Sequence, residues 1–160
     1  MLPAVKTRRP RFVVCEDGAE YIERFRRFLG EDFLFVPAND LAAALAAVGE
    51  PGAEGVDGLL LDLDFRRTPP GRLVDERGQP PVAPDEGTRR RLTESQGILI
   101  LRALRTRGVA LPAVLFADLG DAQQAGFLER TLAPLVVAPS STGLREIAVL
   151  LRERSSWPTT

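Results

Sequence analysis

Gly58-Leu59-Leu60-Leu61-Asp62-Leu63-Asp64-Phe65 is the stretch on which the reading of this chain turns. Three consecutive leucines run into an aspartate, and a second aspartate follows two residues later. A short, continuous apolar run reads as a strand buried on both faces, the kind that parallel sheets use. Asp62 then falls at the carboxyl end of that strand, where open parallel α/β sheets place their crevices. Taken alone, the run reads first as a core strand with a polar exit.

Working outward, Arg11 to Cys15 is a second short apolar run, closed by Glu16-Asp17-Gly18. Ile22, Phe25 and Leu29 then recur at helical spacing, with Glu23, Arg24, Arg26 and Arg27 on the opposite side and Gly30 as a stop. Phe33 to Val36 is a strand ended by Pro37. Asn39 or Asp40 caps a helix whose buried stripe is Leu41, Ala44, Leu45 and Val48, and residues 50–56 are a turn-rich connection. Beyond the opening stretch, the pattern resumes at Ser95. A helix with Ile98, Leu101 and Leu104 on one face ends at Gly108. A strand follows over Pro112 to Ala117, then a helix over 121–131 carrying Phe127 and Leu128. Leu135 to Ala138 is the last strand. Ser140 or Ser141 caps a final helix with Leu144, Ile147, Ala148 and Leu151 on its apolar side. Five buried strands alternating with five helices predict an α/β fold: a flavodoxin-like, doubly wound, five-stranded parallel sheet of order 2-1-3-4-5.

The rhythm fails between Arg66 and Glu94. Five prolines (69, 70, 80, 81, 84) and three glycines (71, 78, 87) punctuate the segment, and it carries seven arginines (66, 67, 72, 77, 89, 90, 91) against five acids (75, 76, 85, 86, 94). It reads as an insertion loop with a small hairpin around Asp75 to Gly78. Because it shows no core pattern, excising 68–92 is expected to leave the thermal transition nearly intact. Residues 1–10 read as a frayed, flexible basic leader and 155–160 as a tail, leaving one domain over 11–154.

Composition narrows the chemistry. Of 160 residues, 44% are hydrophobic and 27% charged, which suits one domain with a real core. A net charge of −1 argues against nucleic acid or an anionic membrane as partner. The absence of histidine removes His-based acid–base, metal and nucleophilic machinery. Cys15 is alone, so no internal disulfide forms, and its place in a strand marks it as a small buried hydrophobe. No apolar run reaches membrane-spanning length or the length of a signal-peptide core, so the expected location is cytoplasmic.

In the 2-1-3-4-5 order, strands 1 and 3 are neighbours. Glu16 and Asp17 would therefore meet Asp62 and Asp64 at one edge. Carboxylates this close repel unless a cation balances them or one is protonated. An all-oxygen set without His or Cys suits Mg²⁺, which would also offset the charge of an incoming phosphoryl group. Arg66 and Arg67 leave the strand beside this pocket and are candidate lid residues, against the ordinary reading of loop arginines as a solvated face.

The residues also carry a resemblance. Phe12-Val-Val-Cys-Glu16-Asp17, Asp57-Gly-Leu-Leu-Leu-Asp62, Gly97-Ile-Leu-Ile-Leu-Arg-Ala-Leu-Arg105, Pro112-Ala-Val-Leu-Phe-Ala117 and Ala138-Pro139 resemble, in order and spacing, the receiver domain of bacterial two-component response regulators. The resemblance covers nearly the whole chain outside 66–94 and the termini. It implies that Asp62 stands at the phosphoacceptor position, that Glu16 and Asp17 stand where the acidic pair holds Mg²⁺, and that Asp64 lends a backbone carbonyl to the metal. It also exposes departures. Ala117 stands where the family has a Ser or Thr hydroxyl, Ala138 where it has a Lys, and Leu135 where it has an aromatic switch residue. A lost charge-assisted contact to phosphoryl oxygens is worth roughly 1.5–3 kcal/mol.

The expected function is a degenerate, pseudo-receiver signalling domain that is not an enzyme. It acts through protein contacts with a histidine kinase, a downstream effector or a second copy of itself, and phosphorylation switching is weak or absent. The alternative is a Mg²⁺-dependent receiver phosphorylated on Asp62. Asp62-Leu-Asp64 also resembles the nucleophile pair of haloacid-dehalogenase-type phosphatases. That family needs a later lysine, whereas the one lysine here is Lys6.

Overall fold

The computed structural model describes residues 8–49 and 55–155. The leader up to residue 7, part of the 50–56 connection and the tail from 156 lie outside the described residues. Within them the elements run β1 (Arg11–Cys15), α1 (Glu20–Leu29), β2 (Leu34–Ala38), α2 (Leu41–Val48), β3 (Gly58–Asp62), α3 (Glu86–Glu94), α4 (Gln96–Thr106), β4 (Ala113–Phe116), α5 (Ala122–Thr131), β5 (Leu135–Ala138) and α6 (Leu144–Ser155). The strands pair in parallel in the order β2-β1-β3-β4-β5, the topology expected from the sequence. Pro37, expected to end β2, sits inside it opposite Val14. β2 is an edge strand, where a missing N–H is tolerated.

Alternation along the strands splits the core in two. Val13, Cys15, Leu59, Leu61 and Leu115 face a layer that includes α2, α4 and α5. Phe12, Val14, Leu60, Val114 and Phe116 face α1 and α6. Each buried side chain of this size contributes roughly 1.5–3 kcal/mol relative to exposure, so two filled faces fix the central strands firmly. Cys15 is buried, and desolvation pushes its thiol up to about 12, consistent with a core residue and not a nucleophile.

The segment 66–94 departs most from expectation. It contains a sixth helix, α3, whose N-cap Asp85 accepts from the Thr88 amide at 2.7 Å. The expected hairpin is a turn instead, closed by the Gly78 amide on the Asp75 carbonyl and stabilised by the Asp75 side chain, with no strand pairing. The segment is also a core element. Leu73, Val74 and Leu92 are buried in the same cluster as Leu59 and Leu61. Gln96, buried at the start of α4, stitches it down. Its Oε1 accepts from the Val74 amide at 2.9 Å, and its Nε2 donates to the Val74 and Leu92 carbonyls at 3.1 Å each. This extra cover explains why α4 buries Leu99, Ile100, Leu101, Ala103 and Leu104, well beyond one stripe, while Ile98 is only half-buried.

Two smaller expectations also shift. Ser140 does not cap α6; its amide and hydroxyl both donate to Asp118. Residues 8–10 are not frayed. Arg8 pairs with Asp57 at 3.1 Å, Arg9 donates to the Gly30 carbonyl, and the Pro10 carbonyl accepts from Leu34.

Candidate functional site

The parallel register aligns Cys15 with Leu61, Asp62 with Phe116 and Phe116 with Ala138. Glu16, Asp17, Asp62, Asp64, Ala117 and Ala138 therefore gather along one sheet edge, as the sequence pattern required. The approach is tight. Gly97 at the start of α4 donates its amide to the Leu63 carbonyl at 3.0 Å, and a Cβ there would collide with the Asp62 carbonyl oxygen.

What each acid does at that edge differs from expectation. Glu16 is buried, and its two carboxylate oxygens accept from the Tyr21 and Ile22 amides at 3.1 and 2.9 Å. It thus satisfies orphan donors at the start of α1, whose N-cap residue Ala19 offers no side-chain acceptor. Burial nonetheless raises its pKa. Asp17 has both oxygens engaged by Arg67: Oδ2 accepts the backbone amide at 2.9 Å and Oδ1 accepts Nη2 at 3.1 Å. Asp64 accepts from Arg66 Nε at 2.8 Å, while its second oxygen is buried without a partner.

Asp62 is the acid with least support. Its one hydrogen bond comes from the adjacent Leu63 amide at 2.9 Å. Desolvation is the main cause that pushes its carboxyl up to about 6; Asp17, Glu16 and Asp64 add like-charge repulsion, and the Leu63 amide works the other way.

Among the described residues no three of Asp, Glu, His and Cys come together in a way able to hold a metal ion. The expected set of Glu16, Asp17, Asp62 and the Asp64 backbone does not fit Mg²⁺ in this arrangement, because helix amides and guanidinium groups already take the acid pair's oxygens. Arg66 and Arg67, the candidate lid residues, meet Asp64, Asp17 and Glu20. They fold back onto acids on their own side of the pocket.

At the other end of the edge, the Ala117 amide donates to the Ala138 carbonyl at 2.9 Å, and both side chains are buried methyls. Beyond them Asp118 accepts from the Ser140 amide at 3.0 Å and from its hydroxyl, which holds its carboxyl below the usual range. Leu135 lies at the opposite end of β5, buried against the core with Leu128 and Leu132, and does not reach the pocket.

Three residues of the site escaped sequence reading. Gly18, where a Cβ would collide with the Arg67 guanidinium and the Glu20 carboxylate, leaves the room the arginine needs. Glu20 accepts from Arg67 Nη1 at 2.7 Å and Nη2 at 2.9 Å, which holds its carboxyl down at about 2. Its signal was available: it stands three residues after Asp17, in the first turn of α1. Tyr21 stacks on Phe116 with ring centroids 5.2 Å apart. Burial, then Asp62, Glu16 and Asp118, push its hydroxyl up to about 12, so it faces this acidic edge in its neutral, hydrogen-donating form.

No protein-family model matches the chain, and no curated protein matches it in sequence. Its fold, by contrast, recurs among solved structures. The receiver domain of the Francisella response regulator 1452 superposes with a TM-score of 0.63 at 12% identity, covering 91% of this chain and 96% of that one. The HemR receiver domain from Leptospira biflexa gives 0.62 at 18% identity, covering 95% and 98%. The receiver domain of NtrX from Brucella abortus gives 0.63 at 16% identity, covering 92% and 99%. The chain has the response-regulator receiver fold, with a flavodoxin-like sheet.

Proposed function

We propose that this is a receiver-like signal-transduction domain that works through protein–protein contacts, without catalysis and with phosphorylation switching weak or absent. The observation that carries the reading is the closed backbone pair Ala117–Ala138 at the β4–β5 edge. At positions 117 and 138 a phosphoryl group on Asp62 would find methyl groups, with no hydroxyl from β4 and no ammonium from β5 to bind its oxygens. The Asp118 carboxylate beside them adds repulsion.

The partner is a signalling protein, a histidine kinase or a downstream effector, or a second copy of the chain, in the cytoplasm. The surface best suited to it is the outer side of 66–94, where Val82 is 95% exposed between Pro81 and Pro84. Among the described residues no helix is long and apolar enough to cross a membrane.

The test is to incubate the protein with Mg²⁺ and acetyl phosphate, or beryllofluoride, and record intact mass and amide shifts for wild type and Asp62→Asn. The expected result is no stoichiometric adduct and no shift at β4, α5 or β5. An Asp62-dependent adduct with distant shifts would replace this reading with the alternative, a Mg²⁺-dependent receiver phosphorylated on Asp62.

A further inference from the structure

We propose that the Arg67 guanidinium is a built-in substitute for a divalent cation, bridging Asp17 and Glu20 so that Mg²⁺ is excluded from Asp17. The inference rests on reading this edge as a receiver-type pocket and adds what fills it.

Four observations carry it. Asp17 is gripped twice, by the backbone amide and by Nη2 of the same residue, and its side chain is only 7% exposed. It has no free oxygen facing water in which a hydrated ion could exchange. Arg67 Nη1 and Nη2 meet the two oxygens of Glu20 in a fork, the bidentate geometry that arginine offers and lysine does not. Gly18 supplies the space, since any larger residue would collide with the fork. Finally, the residue providing the charge leaves β3 only a few positions after Asp62, so the strand that presents the acid also delivers its counter-ion without a long loop to order.

The guanidinium differs from a metal in one consequential way. Its donors are directed at Asp17 and Glu20, and the charges acting most on Asp62 are those of Asp17, Glu16 and Asp64, all negative. A Mg²⁺ ion held by such carboxylates would supply positive charge to an incoming phosphoryl group as well as to the acids. Arg67 is spent on Asp17 and Glu20 and leaves Asp62 without a cation. The guanidinium is also part of the chain and so always at hand, whereas an ion must be taken from solvent.

The experiment is a titration with MgCl₂ alone, followed by calorimetry and by the amide shifts of Asp17, Asp62 and Arg67. Wild type, Arg67→Gln, Gly18→Ala and Arg67→Gln/Asp17→Asn are compared, each checked for cooperative unfolding. Arg67 is largely exposed, so its replacement is expected to fold. Arg67→Gln should bind Mg²⁺ at least about tenfold more tightly than wild type, with a melting temperature that now rises with Mg²⁺. Gly18→Ala keeps every charge but moves the fork off Asp17, and should gain part of that affinity. Equal affinity in wild type and folded Arg67→Gln would overturn the proposal, as would a gain that survives Asp17→Asn, since that would reflect net charge alone. The outcome is separable from the acetyl phosphate result, because no phosphodonor is present.

Discussion

Replacing Leu92 by alanine tests whether the 66–94 segment belongs to the fold or merely decorates it. Leu92 is fully buried on the inner face of α3, within the cluster that holds Leu59, Leu61, Ile100 and Leu104. Truncating a fully buried leucine removes its transfer energy and leaves a cavity that closes only in part, at a cost of roughly 2–5 kcal/mol. The neighbours here are a β-strand and the long α4, which are poorly able to collapse, so a cost near the middle, about 3 kcal/mol, is expected. At this chain length each kcal/mol shifts the melting temperature by roughly 2–4 °C, so the drop should be about 6–12 °C. Val82→Ser, at a 95% exposed position of the same segment, serves as control and should stay within about 0.5 kcal/mol. Excising 68–92 removes Leu73, Val74 and Leu92 together and uncovers α4. Against a total stability of roughly 5–15 kcal/mol, that loss should abolish the cooperative transition. Calorimetry or thermal circular dichroism reads all three variants. A Leu92→Ala melt within about 2 °C of wild type, or a normal transition in the excised chain, would refute the assignment of this segment to the core.

Two further outcomes follow from the same structure. Gln96→Leu keeps the volume at the seam but leaves the Val74 amide and the Val74 and Leu92 carbonyls without partners; a loss of roughly 2–4 kcal/mol and faster exchange of the Val74 amide are expected, and an unchanged exchange rate would mean another group holds the segment. Asp62 should titrate near 6 in a carboxyl-carbon NMR experiment. Because its folded pKa lies above its unfolded value, the folded state binds the extra proton, so stability falls as pH rises from the ordinary carboxylate range through about 6. Asp62→Asn should flatten that slope and raise the melting temperature at neutral pH relative to wild type; a slope that persists in the variant would assign it to another group.

How much of this was legible in the sequence varied with the kind of signal. The strands were, because Phe12 to Cys15, Leu59 to Leu61 and Val114 to Phe116 are unbroken apolar runs that parallel sheets demand. The gathering of acids at one edge followed from strand order alone. The helical segment 86–94 was not legible, because one buried leucine among three arginines gives no periodicity. Its helix depends on the Asp85 cap and on tertiary burial of Leu92. Leu73 and Val74 were hidden for the same reason: two adjacent apolar residues in a proline-rich stretch show no period, and the residue that anchors them, Gln96, is polar and lies 22 positions away. Arg67 was visible as a charge near the pocket, but its direction was not. That depends on Gly18 and Glu20, which only the turn between β1 and α1 brings into line.

Most acids of the edge find donors within the chain itself. Asp17 and Glu20 share one guanidinium, Asp64 holds another, Glu16 takes the amides at the start of α1, and Asp118 takes Ser140. Asp62 alone is left with a single weak partner, and it resolves the repulsion by holding a proton more readily than an ordinary aspartate. The alanines at 117 and 138 belong to the same arrangement. On the proposed reading, with no phosphoryl group to receive, neither a hydroxyl at 117 nor an ammonium at 138 has oxygens to bind. Ala138→Lys alone should not restore a responsive pocket: its ammonium would find Asp62, which no cation meets, but Asp17 would stay held by the Arg67 amide and guanidinium.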